Sequence, residues 1–185
     1  RLRFVTGRRR EAWKRNVVSL GLASGFVEPL ESTSINLIQT GIGRLLEMFP
    51  DRRFDPALIR EYNRRSAQEF ERIRDFIILH YHLAGRAGAM WDRCRETAPP
   101  DTLMEKIELF RARGEVSLLE DESFREDSWA AVFTGLGAWP KQASPLACID
   151  DLETVDRQAR QFAQLIARAA AALPDHSTTF TGYAR

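Results

Sequence analysis

Between Ile59 and His80 the residues Ile59, Tyr62, Phe70, Ile73, Ile77 and His80 recur at the spacing of one helical face, and the opposite face is nearly all Arg, Glu and Gln. That pattern predicts an amphipathic helix of many turns, which must find apolar partners for its inner side. The sequence offers several. Ile35, Ile38, Ile42, Leu45 and Phe49 alternate spacings of three and four and assign a core face to a helix that Pro50 stops. Beyond a loop with Gly85 and Gly88, a short helix is expected near Trp91 to Glu96. Pro99, Pro100 and Asp101 then introduce another, carrying Leu103, Ile107 and Phe110 and ended by Gly114. Residues 115–127 read as acidic and irregular, and Trp129 to Leu136 as a compact apolar segment. Leu152, Val155, Ala159, Phe162, Ile166, Ala169 and Leu173 fill the inner positions of three heptads. Such a helix can pair with a second copy, making a homodimer, or dock within its own chain, which its alanines and Phe162 suit better.

Only the start departs from helical period. Leu2 and Phe4 alternate with Arg1 and Arg3 up to Gly7, a strand entering a turn, and a second strand is expected over Asn16 to Leu20. The fold class is therefore mainly α with one or two short N-terminal strands. A chain that opens on arginine in mid-strand is expected to continue upstream. Its 185 residues, 44% hydrophobic, are enough to bury a core.

Charge and composition remove several functional classes. The 27 Lys and Arg residues nearly balance 26 Asp and Glu, so the net charge of +1 exerts no global pull on nucleic acid or membranes. Arg1, Arg3, Arg8, Arg9, Arg10, Lys14 and Arg15 crowd the start, either as a phosphate-binding arm or, with Leu2, Phe4 and Trp13 packing between them, as a solvated strand and turn. No apolar run approaches the roughly 20 residues needed to span a bilayer. The arginine-rich start lacks the apolar core of a signal peptide. Cys94 and Cys148 have no metal-ligand spacing, and a reducing, cytoplasmic setting is expected. His80 and His82 lie on different helical faces, so no shared metal is expected. Gly41-Ile42-Gly43 and Gly135-Leu136-Gly137 lack the third glycine of a dinucleotide fingerprint.

The chemistry concentrates in residues 21–35, Gly-Leu-Ala-Ser-Gly-Phe-Val-Glu-Pro-Leu-Glu-Ser-Thr-Ser-Ile, between a strand and a helix. Small residues at Gly21, Ala23, Ser24 and Gly25 let a flat ligand approach, and the first-turn amides of the next helix can face an anion. Pro29 suits a rigid bend, and Ser32, Thr33 and Ser34 are capping types. Glu28 and Glu31 sit among Phe26, Val27, Pro29 and Leu30. Either carboxylate can be a partly desolvated general base, or both can simply reflect the liking of helix N-termini for glutamate.

The run Phe26-Val27-Glu28-Pro29-Leu30-Glu31-Ser32-Thr33 resembles the signature of the flavin-dependent tryptophan halogenases. Trp13-Lys14-Arg15-Asn16, Leu37-Ile38-Gln39, Arg74-Asp75-Phe76-Ile77, Glu105-Lys106-Ile107-Glu108-Leu109-Phe110 and Gly135-Leu136-Gly137 are similar to the family in the same order. The resemblance implies the C-terminal portion of an α+β, FAD-dependent monooxygenase-like (FAD/NAD(P)-binding) fold. Residues 1–30 would end the sheet and form the flavin-facing turn, and 31–185 would make a helical substrate-binding region. It also implies that reduced FAD, supplied by a flavin reductase, and oxygen convert chloride or bromide to hypohalous acid, which a lysine delivers to tryptophan, an indole or a related aromatic. Glu31 corresponds to the catalytic glutamate facing the substrate, Thr33 and Ser34 to the halide-binding pair, and Leu22, Ser32 and Ile35 to positions at the flavin.

Two departures stand out. Ser34 replaces a glycine common in tryptophan-specific members, and the aromatic pairs that clamp free tryptophan have no counterpart in 124–133 beyond Phe124 and Trp129. Those two are the candidate substrate-pocket residues, Trp129 with core packing as its alternative. The delivering lysine is expected upstream, since Lys14, Lys106 and Lys141 stand in other contexts, so the chain alone is expected to be inactive. Two other readings stay open: a flavin-dependent monooxygenase without halogenation, and a non-catalytic helical binding module.

Overall fold

The long helix is the centre of the protein. In a computed structural model that describes residues 5–149 and 151–175 it runs as α2 from Pro56 to His82. Asp55 caps it through the Ala57 amide, with Pro56 in the first turn, where its missing N–H costs nothing. The chain divides into two units, Arg1–Gln142 and Ala143–Arg185.

In the first unit, α2 is flanked by α1 (Ser34–Glu47), α3 (Ala89–Glu96), α4 (Asp101–Arg113) and α5 (Glu126–Gly135). Phe76 and Leu79 of α2 meet Leu103, Ile107 and Phe110 of α4 and Trp129 and Phe133 of α5 in one core, while Phe70, Ile73 and Ile77 meet Leu37 of α1 in another. Gly114, at φ +76°, ends α4 as expected.

Among the described residues the start holds four two-residue strands: β1 (Gly7–Arg8), β2 (Trp13–Lys14), β3 (Val17–Val18) and β4 (Gly25–Phe26). β1 pairs antiparallel with β4 and β2 with β3. The strand expected over residues 1–7 falls largely outside the described residues, and Gly7 belongs to β1. Asn63 of α2 holds β2 as a strand would, accepting from the Trp13 amide and donating to its carbonyl, both at 2.8 Å. The Trp13 indole packs edge-on against Tyr62.

The core face assigned to α1 by period is corrected. Ile35, Ile38, Ile42 and Phe49 are exposed, Leu45 is half-buried, and the buried residues are Leu37, Gly41 and Arg44. The α1–α2 contact is close and polar. The Tyr62 hydroxyl donates to the Gly41 carbonyl, where a side chain would stand 2.9 Å from Leu20. The Arg44 guanidinium reaches Glu69 at 3.2 Å and Asp121 at 3.6 Å.

The acidic stretch 115–127 proves to be a clasp. Glu120 pairs with Arg64, Asp121 with Arg44 and Arg65, and Glu122 with the buried Lys106, whose ammonium also lies over the Trp129 ring. Asp75, fully buried, gathers Arg74 and the Thr102 hydroxyl at the start of α4.

In the second unit a 3₁₀ turn, Pro145–Cys148, precedes α6 (Leu152–Ala172), which Asp151 caps. The helix that the heptads predict is present, with Leu152, Val155, Phe162, Ile166 and Leu173 exposed. Among the described residues, no helix is long and apolar enough to cross a membrane, and no group of His, Cys, Asp and Glu could hold a metal ion.

Candidate active site

The segment from β4 to α1 changes direction twice within eight residues. Val27 and Glu28 leave the strand, and Pro29 opens a 3₁₀ turn, Pro29–Glu31, closed by the Ser32 amide on the Pro29 carbonyl. Ser32 then adopts the left-handed conformation, φ 53° and ψ 33°, which stops the turn from running straight into α1. Thr33 is buried and occupies the N-cap position, and its carbonyl accepts the Leu37 amide. No side chain caps α1. The amides of its first turn, from Ser34 onward, therefore have no partner inside the helix and carry the positive end of its dipole.

Glu31 sits at the inner edge of this bend with its side chain 32% exposed. Its Oε1 lies 3.0 Å from Nε2 of His80, in the last turn of α2. The other imidazole nitrogen, Nδ1, is 2.8 Å from the Phe76 carbonyl, and the Phe76 ring meets the imidazole edge-on at 5.0 Å. One residue further, the Tyr81 hydroxyl donates to Oε1 of the exposed Glu28. That carboxylate, beside the phenol, pushes the Tyr81 pKa up to about 12. Consecutive α2 residues thus take one glutamate each. Sequence reasoning missed both partners: it placed His80 on the inner face of the long helix and set it aside as a metal ligand, and it gave Tyr81 no role at the site. The residues lie some fifty positions from the turn, beyond any local pattern.

The expected cofactor-side residues face outward. Leu22 and Ile35 are each 69% exposed, high for large apolar side chains, and Ser32 is exposed beside them. Leu22, Ala23, Gly25 and Phe26 line, with Arg8 and Arg9, a hollow of about 530 Å³ that Ser32 and Ile35 do not line. Its apolar residues and two arginines, Arg8 paired with Glu71 and Arg9 with the Ala23 carbonyl, suit a flat ring that carries anionic groups, so Leu22 and its neighbours fit a flavin. The glycines serve the fold first. A side chain at Gly25 would stand 2.8 Å from the backbone of Gly7 and Arg8, and one at Gly21 would stand 2.8 Å from Ile38. A second cleft, about 470 Å³, is lined by Phe26, Val27, Glu28, Phe70, Arg74 and Ile77 among others, and reaches Glu28 rather than Glu31.

The two candidate substrate-pocket aromatics lie elsewhere. Trp129 is fully buried, its ring edge-on to Phe76 at 4.7 Å, and its place is core packing rather than a pocket wall. Phe124, half-buried, stacks on Phe76 at 3.8 Å, two side chains behind Glu31 in the series Phe124, Phe76, His80.

The family profile described as tryptophan halogenase matches residues 1–151. The chain belongs to the tryptophan halogenase family. It is 38% identical over 159 residues to the tryptophan 6-halogenase ThaL of Streptomyces albogriseolus, covering 78% of this chain and 30% of that protein. With the tryptophan 7-halogenase RebH of Lentzea aerocolonigenes it shares 34% identity over 161 residues, with the same coverage of each chain. Among solved structures, the flavin-dependent halogenase BrvH of Brevundimonas sp. BAL3 superposes with a TM-score of 0.87 at 44% identity, covering 96% of this chain and 36% of that one. The chain thus spans about a third of the length of these family members.

Proposed function

We propose that this chain supplies the glutamate-bearing, substrate-side part of a flavin-dependent halogenase that acts on tryptophan, an indole or a related aromatic. Residues 1–30 end the sheet of an FAD-binding fold, and 31–185 form the helical region beside the substrate. When bound and reduced by a transient flavin reductase partner, FAD would activate molecular oxygen, and oxygen would supply the oxidising equivalents that convert chloride or bromide to an electrophilic halogen. This chain's residues contribute three things. Leu22, Ile35 and Ser32 present the surface on which the flavin rests. The uncapped first-turn amides at Thr33 and Ser34 give a halide a positive, hydrogen-bonding seat. Glu31, the last residue of the 3₁₀ turn and three before α1 begins, takes the proton that the ring loses when it is halogenated.

The observation that carries the reading is the placement of Glu31: half-buried, held by an imidazole rather than an arginine, and two residues before the uncapped start of α1 that Thr33 opens. The test is halide incorporation into indoles by the whole enzyme and by its Glu31→Gln variant. A positioned base contributes about 10²–10⁴-fold, and a loss of that order in kcat is expected. Full activity of the variant, or product that forms without any halide, would refute the assignment.

A further inference from the structure

We propose that His80 is a positioning residue for Glu31, and that the two side chains act as one unit sharing a single proton. The argument is an inventory of donors and acceptors. Nδ1 of His80 faces the Phe76 carbonyl at 2.8 Å, and a carbonyl oxygen only accepts, so Nδ1 carries a hydrogen. Nε2 faces the Glu31 carboxylate at 3.0 Å. A neutral imidazole with its hydrogen on Nδ1 has only a lone pair at Nε2, which would confront a carboxylate lone pair with no proton between them. The 3.0 Å approach therefore calls for one proton between the two groups, on Nε2 or on Glu31. In either placement the pair is neutral as a whole.

Three consequences follow for the chemistry. The imidazole engages Oε1, which leaves Oε2 as the oxygen that can turn to a substrate. The imidazole plane is set from behind by the Phe76 ring, itself stacked on Phe124, so the carboxylate's direction is fixed by the core rather than by the turn alone. When Oε2 takes the proton lost from the ring carbon, the pair changes from neutral to a charge of +1. It returns to its starting state by releasing one proton to water, which reaches both groups, since Glu31 is 32% and His80 21% exposed.

The proposal rests on the reading of Glu31 as the base, and its test separates the two. On the 185-residue chain, two-bond nitrogen–proton NMR correlation of His80 is expected to show hydrogen on Nδ1 whether or not the ring is charged. A neutral ring with its hydrogen on Nε2 and a bare Nδ1 would overturn the proposal whatever the enzyme does. In the whole enzyme, His80→Phe is expected to lower kcat about ten- to hundredfold with KM nearly unchanged, the loss expected for a misaimed reacting group. His80→Gln, whose amide can donate to the same carboxylate, is expected to recover most of that loss. A His80→Phe kcat within threefold of the parent, or a Gln variant no better than Phe, would overturn the positioning role. Full activity in Glu31→Gln would instead sink the base assignment, while the NMR result would still decide how the pair is protonated.

Discussion

The attachment of α1, which carries the start of the site, depends on one buried arginine. α1 gives the first unit only Leu37, Gly41 and Arg44 as buried residues, and a leucine is worth about 1.5–3 kcal/mol on full burial. The Arg44 guanidinium, 5% exposed, lies 3.2 Å from Glu69, 3.6 Å from Asp121 and 3.1 Å from the Ser66 hydroxyl. At an effective dielectric of about 20, one such ion pair is worth about 5 kcal/mol before desolvation. Arg44→Met keeps most of the stem but leaves Glu69 with Ser123 at 3.4 Å, while Asp121 retains Arg65 at 3.1 Å. Stranding a buried carboxylate in this way costs about 3–5 kcal/mol, a large part of the roughly 5–15 kcal/mol that stabilises a domain. Removing the second charge as well, in Arg44→Met with Glu69→Leu, should return stability to within about 1–2 kcal/mol of the parent, because an apolar pair pays no ionic desolvation. Urea unfolding followed by tryptophan fluorescence gives both numbers, and amide exchange over residues 37–47 reports whether α1 loosens first. A single-variant cost below about 1 kcal/mol, or a double variant less stable than the single, would refute the claim that uncompensated charge sets the energetics of this contact.

Three further outcomes follow from other parts of the structure. Gly25→Ala drives a methyl to 2.8 Å from the Arg8 Cα and the Gly7 carbonyl and should cost about 1–3 kcal/mol in the same unfolding assay. Gly43→Ala, with nothing within 4 Å and a mid-helix site, should instead add about 0.5–1 kcal/mol. For Tyr81, raised from 10.0 to about 12 by the Glu28 carboxylate, the protonated form is favoured in the fold. Its stabilising contribution should be complete below about pH 10 and vanish as pH rises through about 12. A Tyr81→Phe variant whose stability falls as steeply as the parent's over that window would show that this phenol is not the source.

How much of this was legible in the sequence depends on how far apart the partners lie. Helical period located α2, α4 and α6, because each carries its own apolar stripe within a few turns. It also found α1 but reversed its inner face. Ile35, Ile38, Ile42 and Phe49 recur as a core stripe should, yet the face against α2 is built from Gly41, Leu37 and Arg44, and the signal for it resides in Tyr62, Glu69 and Asp121. Period records that a face is apolar, not which neighbour it meets. The acidic clasp was unreadable for a similar reason, since its order comes from Arg44, Arg64, Arg65 and Lys106 on other elements. At the site, the run from Phe26 to Thr33 pointed to Glu31, and its small residues suggested a turn. The residues that hold the glutamates, His80 and Tyr81, come to it only through the packing of α2.

The strained residue in that turn explains why these distant parts must agree. Ser32 holds a left-handed conformation that costs an ordinary residue roughly 1 kcal/mol, and a glycine there would relieve it. What the conformation does is separate two directions: Glu31 turns back toward the end of α2, while Thr33 and Ser34 go on into α1. Each direction is anchored in a different core. Glu31 is tied through His80 to the Phe76 cluster with α4 and α5, and Thr33 is tied through Leu37 to Ile73 and Ile77. The distance from the carboxylate to the proposed anion seat is then a property of how α1 and α2 dock. A change as remote as Arg44, three turns along α1 and in contact with no part of the turn, should therefore alter catalysis as well as stability.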